Sequence, residues 1–293
     1  MYTISTTLQN ALTAGTPQRV LLEFTDASAD FSNEDISITT GLELNEMFCS
    51  ETDITAGLCP SAEIRFDMLN DEGQLNDFEF GKFKAWLGAR IDTGTPASSA
   101  KTKTYTEGGV SKTYEFTPLG VFIADRPAVV KKKILSITAN DQMTLFDVDM
   151  PKATALNITY PTTLGVLFVK LCNYLNVTYK TASFLNNALT VAEEPEEFDG
   201  ATMRDVLGWI AEAACSIARF DRDGVLELVW FNTVNRYFDE HNYSEFTNAW
   251  YETAAVDALN VKNANSTATT AEGSGSNVYL IQDNPFLRAP DDD

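Results

Sequence analysis

The chain has 293 residues, 44% of them hydrophobic, so it can bury a large core and is longer than one average domain; two or three domains are expected. Its 42 acidic residues against 21 Lys and Arg leave a formal charge of −21, which argues against a protein that holds nucleic acid by neutralising phosphates. No apolar run approaches the roughly 20 residues of a membrane span, and the N-terminus has neither the basic flank nor the apolar segment of a secretory signal; synthesis in a cytoplasm, without membrane insertion, is the expectation.

In chain order, Ile4, Leu8, Ala11 and Leu12 fall at helical spacing, and Gly15 and Pro17 end a short N-terminal helix. Arg19 to Phe24 and Ser37 to Thr40 are short β-prone runs separated by polar turn residues from Asp26 to Asp35. Ala62 to Met68 alternates apolar and charged residues at period two, a strand with one buried face. Phe80 to Arg90 repeats the pattern, setting Phe83, Ala85, Leu87 and Ala89 against Lys82, Lys84, Trp86 and Gly88. From Thr93 to Ser111 hardly an apolar side chain occurs, which reads as a mobile loop, or else a hairpin extension projecting from the sheet, with mobility the preferred reading. Tyr114 to Phe116, Leu119 to Ala124 and Ile134 to Ala139 add further strands, so the first 140 residues suggest a closed or nearly closed antiparallel barrel or sandwich.

At Pro161 the texture changes. Thr162 and Thr163 offer an N-cap, and Leu164, Leu167, Phe168, Leu171, Cys172 and Leu175 step round a largely buried helix. Glu193 to Glu197 is an acidic linker that is not expected to pack. Thr202 with Asp205 starts a second helix, to about residue 216, whose stripe runs through Met203, Val206, Leu207, Ile210, Ala211, Ala214 and Ile217 or Ala218. Asp221-Arg222-Asp223-Gly224 then turns the chain into the strand Val225 to Phe231. Beyond it, Ala258 to Val261 and Asn277 to Ile281 are β-prone around a Ser/Thr/Ala/Gly run from Asn265 to Ser276, and an Asp291-Asp292-Asp293 tail closes the sequence.

Residues able to carry chemistry are few. His241 is the single histidine and lies in polar sequence beside Glu240 and Asn242, where a solvated loop residue is favoured over a catalytic base. Ser244 nearby has no nucleophile elbow around it. Asp221, Asp223, Gly224 and Glu227 carry part of a calcium-loop pattern, but its first ligand position would be Arg219 and the Gly-to-Glu interval is too short, so a hairpin turn explains them. The acids Glu193, Glu194, Glu196 and Glu197 signal no glycosidase pair. Cys49, Cys59, Cys172 and Cys215 form no C-x-x-C motif and read as reduced structural thiols. Lys131-Lys132-Lys133, the one basic run, fits a sheet-edge guard or a local partner contact. No residue is singled out as catalytic, cofactor-binding or metal-ligating, and an enzyme is not expected. Trp86, Trp209, Trp230 and Trp250 could serve a carbohydrate surface, yet the first three sit inside strand or helix patterns that imply packing.

The order of these elements resembles a phage tail baseplate hub or tail-tip hub protein. The short helix running into Gln18-Arg19-Val20-Leu21-Leu22-Glu23, the segment Gly57 to Asp71, and Pro118 to Pro127 look like the first barrel of such hubs. Ile137 to Asp147 is similar to their barrel-closing strand and its exit. Gly200 to Leu207, Ile210 to Glu212 and Asp221 to Leu226 are similar to the helix and hairpin between their barrels, and Asn277 to Leu287 resembles a late strand and turn of the second part. The resemblance implies an α+β, mainly β, fold: a tail-tube-like antiparallel β-barrel over residues 1–150, a helix-helix-hairpin connector domain over 151–234, and a second β-rich domain over 235–293. That second part is too short for a full second barrel, so it is small, incomplete or finished by a neighbour. The resemblance further implies a virion structural protein, a homotrimer adapting a six-fold tube to a three-fold tip, contacting the tail tube or distal tail protein and the tail-tip or spike proteins. DNA would pass through its channel without being specifically bound, and no cofactor is implied. The acidic balance then has two readings, a solvated surface that keeps the chain soluble or a wall that DNA slides past. A tail-associated cell-wall hydrolase and a carbohydrate-binding adhesion module are the competing classes.

Overall fold

The computed structural model describes residues 4–25, 29–37, 41–46, 56–71, 73, 75–91, 96, 100–125, 128–131, 133–229, 258–262, 269–273, 278–281 and 284–287. The described fold is mainly β, with antiparallel sheets and few helices. Helix α1 (Thr6–Thr13) begins where the Ser5 side chain accepts the Leu8 N–H, and it buries Leu8 and Ala11 against Ala89.

Nine strands follow: β1 (Gln18–Phe24), β2 (Ala29–Ser32), β3 (Leu42–Asn45), β4 (Glu63–Leu69), β5 (Lys82–Arg90), β6 (Lys101–Glu107), β7 (Val110–Ala124), β8 (Ala128–Lys131) and β9 (Ile134–Asp141). They pair in the order β2-β1-β5-β7-β9-β4-β3, with β6 on β7 and β8 on β9. Period-two alternation puts Leu22, Phe24, Ile64, Phe66, Met68, Phe83, Phe122 and Ile137 on one inner face, each contributing about 1.5–3 kcal/mol by burial. Phe24 stacks on Phe83 at 4.7 Å and meets Phe31, Phe78 and Phe80 edge-on.

Of the expected closed or nearly closed barrel or sandwich, full closure is not seen: no strand ladder joins the two sheet edges among the described residues. The edges β2 and β3 do not pair, and the two sides meet where the chain leaving β2 crosses to β4, with Ile36 bridging Met68 and the Ser37 N–H donating to the Asp67 carbonyl at 2.8 Å. Closure stops at Asn33. Its Oδ1 accepts the Val20 N–H at 2.6 Å and its Nδ2 donates to the Gln18 carbonyl at 3.4 Å, so a side chain occupies groups that a closing strand would pair with. A groove of about 440 Å³ follows the seam, lined by Val20, Leu42, Leu44, Leu87 and Leu119.

The reading of Thr93 to Ser111 as mobile is also corrected over its second half, which is the hairpin strand β6. Lys101, Lys103, Tyr105 and Glu107 turn inward while Thr102, Thr104 and Thr106 are exposed. What holds β6 is charge and aromatic contact instead of aliphatic burial. Lys101 pairs with Glu23, Lys103 Nζ lies 2.8 Å from Asp30, and Tyr105 packs edge-on against Tyr114 at 5.7 Å. Gly88 leaves the room for this layer, because a Cβ there would sit 2.6 Å from the Phe116 ring.

After β9 a 3-10 turn over Gln142–Phe146 leads into α2 (Ala153–Leu156), β10 (Thr162–Thr163), α3 (Leu164–Tyr174), β11 (Thr190–Val191), α4 (Met203–Ala213), β12 (Ile217–Phe220) and β13 (Leu226–Val229). Strand β10 pairs with β11, and β12 pairs with β13 as a hairpin. The apolar faces of α3 and α4 share one core, in which Leu164, Leu167, Phe168, Leu171, Met203, Val206, Leu207 and Ile210 are fully buried. Farther on, β14 (Ala258–Lys262) pairs antiparallel with β15 (Thr269–Gly273) and parallel with β16 (Val278–Ile281). The chain then returns to α4: Asn284 Nδ2 donates to the Trp209 carbonyl at 2.7 Å and to Glu212 at 2.9 Å, and Phe286 enters the helical core.

Candidate functional site

The part of the molecule with the most specific geometry is the junction between the curled sheet and the helix-hairpin unit. Asp141 ends β9 and organises the exit. Its carboxylate accepts Ser61 Oγ at 2.7 Å, the Ala62 N–H at 3.0 Å and the Met143 N–H at 3.0 Å, so it ties β9 to the entry of β4 and caps the turn that follows. Burial raises its pKa above the ordinary carboxylate range, although these hydrogen bonds pull the other way. Next to it, the buried Gln142 Nε2 donates to the Gly224 carbonyl at 2.8 Å.

Gly224 has φ +76°, and a Cβ there would lie 2.7 Å from Val121 Cγ2 on β7, so the β12–β13 turn seats against the sheet only because this residue has no side chain. A second seat forms at Gly57, whose N–H donates to the Ser216 carbonyl at 2.9 Å, while the Ala218 N–H donates to the Leu58 carbonyl at 2.9 Å. On α4, Gly208 faces this segment; a Cβ on it would stand 3.0 Å from the Gly57 carbonyl oxygen. Lys84 with Asp223 at 2.7 Å and Arg222 with Glu46 at 3.4 Å cross the same boundary, each contributing up to about 1 kcal/mol at such exposure. The helix itself is positioned by a capping box, with the Thr202 side chain accepting the Asp205 N–H and Asp205 accepting the Thr202 N–H.

Many cations of the described surface are engaged by carboxylates. Arg19 lies against Glu34 and Glu107, Lys180 and Arg219 share Glu227, Arg204 holds Asp147, and Arg65 meets Glu63. Since acids outnumber bases two to one, 42 against 21, such pairing leaves the surplus charge negative and offers a phosphate backbone little to neutralise. Lys133, from the basic run, lies 3.6 Å from Asp71.

The other residues named from the sequence are dispersed. Asp221 Oδ1 accepts the N–H groups of Asp223 and Val225, at 3.0 and 2.9 Å, as a turn residue does, and Glu227 is turned to Arg219 and Lys180. Glu194 accepts the Ala153 N–H at 3.2 Å, and Glu196 and Glu197 open the short 3-10 turn that ends in buried Phe198. Among the described residues no group of three or more His, Cys, Asp and Glu is arranged to hold a metal ion. Cys59, Cys172 and Cys215 are free thiols, and desolvation pushes the thiols of Cys59 and Cys172 up to about 12, where they are unreactive. Trp86 is engaged by Glu23, which accepts its Nε1–H at 2.6 Å, and by Lys84 over its ring. Trp209 lies parallel to Phe198 at 6.3 Å. Cys49, Lys132, Trp230, His241, Ser244, Trp250 and the acidic tail lie outside the described residues.

Sequence reasoning missed the glycines of the junction. Gly57 and Gly208 look like ordinary loop and helix residues, and only their mutual approach gives them meaning. No helix among the described residues is long and apolar enough to cross a membrane.

No protein-family model matches the chain, and no curated protein matches it. Among solved structures it is similar to the 43 kDa tail protein of prophage MuSo2 from Shewanella oneidensis, with a TM-score of 0.45 and 10% identity over 90% of this chain and 71% of that one. A tail protein from Neisseria meningitidis MC58 gives 0.46 and 12%, and prophage tail protein gp18 from Listeria monocytogenes EGD-e gives 0.44 and 8%, each over the same 90% and 71%.

Proposed function

We propose that this chain is a structural hub of a phage tail or a phage-like injection device, working as a virion component with no catalytic step. The observation that carries the reading is the junction: a curled antiparallel sheet passes through Asp141 into a helix-hairpin unit, and the hairpin turns back to seat Gly224 on β7. A part that transmits load between a tube and a tip needs its two bodies held rigidly, and the close seat of Gly224 on Val121 and Gln142, with the Gly57 and Leu58 backbone bonds to the hairpin, supports such rigidity. In the assembled tail three copies form a ring that adapts the tube to the tip. The ring contacts the tube or distal tail protein on one side and spike proteins on the other, and its acidic surplus lines a channel through which DNA or an effector slides.

The test is a cryo-EM map of the particle. The expected result is a three-fold ring at the distal end of the tube with carboxylates on the lumen wall. A neutral or basic wall removes the channel reading, and absence of the chain from purified tails removes the hub altogether.

A further inference from the structure

The strand β6 runs Lys101-Thr102-Lys103-Thr104-Tyr105-Thr106-Glu107 and pairs, among the described residues, only with β7. Its register fixes which backbone groups face away. Glu107 opposes Val110 across the two-residue turn Gly108-Gly109, with φ values of +57° and +81°. A two-residue turn of this handedness is flanked by a hydrogen-bonded pair, so positions 101, 103, 105 and 107 bond to β7. The N–H and C=O groups of Thr102, Thr104 and Thr106 therefore point out of the free edge. That edge has no proline, bulge or glycine to blunt it, and its inward lysines are already neutralised by Glu23 and Asp30.

Read in both directions, the strand is its own complement. We infer that β6 is a homotypic interface, pairing antiparallel with β6 of a second copy of this chain about Thr104. In that register Thr104 meets Thr104 and Thr102 meets Thr106 as hydrogen-bonded pairs. The intervening pairs, where side chains come closest, set Lys101 against Glu107 and Lys103 against Tyr105. The first is an ion pair and the second a cation-π contact of the kind the chain already makes internally, where Lys103 Nζ lies 6.0 Å from the Tyr105 ring. Like charges are never opposed. Because these side chains are already held by Glu23, Asp30 and Arg19, pairing costs little side-chain entropy. The resulting two-fold contact is isologous and extends the sheet across both copies. It stands independently of the tail reading, since it concerns the free protein before any ring forms.

The test is the solution mass of the full chain by sedimentation and light scattering, up to about 100 µM, where a small interface is populated. A species of twice the 32.3 kDa chain mass is expected. Thr104→Pro deletes an outward N–H and the exposed Thr104–Thr113 hydroxyl contact, leaves the backbone ladder to β7 intact and should raise the dimer dissociation constant at least about tenfold. A second readout does not depend on that variant folding: Thr104→Cys should cross-link to itself with a short bis-maleimide, whereas Thr13→Cys, on the exposed end of α1, should not. A monomer at every concentration overturns the proposal, as does an oligomer whose affinity is unchanged by Thr104→Pro, or cross-linking that is equal at positions 13 and 104.

Discussion

Arg19 holds two carboxylates and two aromatic rings at once: Glu34 at 2.7 Å, Glu107 at 3.0 Å, the Tyr105 ring at 3.9 Å and the Tyr114 ring at 5.4 Å. Burial works against its charge, but the hydrogen bonds it donates to Glu34 and Glu107 outweigh it and hold the guanidinium pKa above its ordinary value. The same contact lowers Glu34 from 4.5 to about 2. A carboxylate depressed in the folded state contributes stability that is present above its unfolded pKa and lost as pH falls through its folded one. Urea midpoints should therefore decline between about pH 4.5 and 2, and Arg19→Met should flatten that decline while costing roughly 1–2 kcal/mol at neutral pH through the lost ring contacts. Unchanged pH dependence in the variant would show that other carboxylates dominate. At the junction, Gly224→Ala forces a Cβ into Val121 and a positive φ on a non-glycine residue. Its expected cost is about 1–3 kcal/mol in chemical denaturation.

Among elements, α4 answers most directly to its sequence. Thr202→Ala removes one half of the capping box and should cost about 1 kcal/mol. Leu207→Asp places a carboxylate at a fully buried position and should cost more than about 4 kcal/mol, unfolding the helix-hairpin unit and abolishing assembly into tails; full assembly of the second variant would mean the core lies elsewhere. This helix was legible because its cap and stripe are both written in side chains. Its end was not: Ile217 and Ala218 continue the apolar stripe in the sequence but belong to β12, since Cys215 takes φ +50° and reverses the chain where glycine or asparagine would have signalled it. Strand β7 reads as two pieces, Tyr114 to Phe116 and Leu119 to Ala124, either side of Pro118, yet it is one strand whose register shifts opposite Ala85 and Trp86. For β6 the alternation was present all along, but in Lys, Tyr and Glu instead of aliphatics, so an apolar criterion passed over it. The same limit applies to the junction, where a glycine's meaning depends on a partner far away in the chain. The open seam was illegible for a related reason: Asn33 bonds the backbone of β1 through its side chain, a contact that no local pattern announces.

For the whole molecule, the governing fact is that the sheet and the helical unit share a boundary of backbone hydrogen bonds, a buried Gln142 contact and ion pairs. Distortion of either body is therefore transmitted to the other. The return of the chain at Asn284 adds a second constraint. Phe286 meets Trp209 and Phe198 edge-on at 6.5 and 6.0 Å and completes the aromatic end of the helical core. Phe286→Ala should destabilise that core by about 3 kcal/mol, measured by chemical denaturation. The helical core therefore joins residues far apart in the chain, Leu226 from β13 and Phe286 sixty positions later. On a ribosome, α3 and α4 emerge before Phe286, so their shared core is begun without that ring and is completed only after residue 286 has been made.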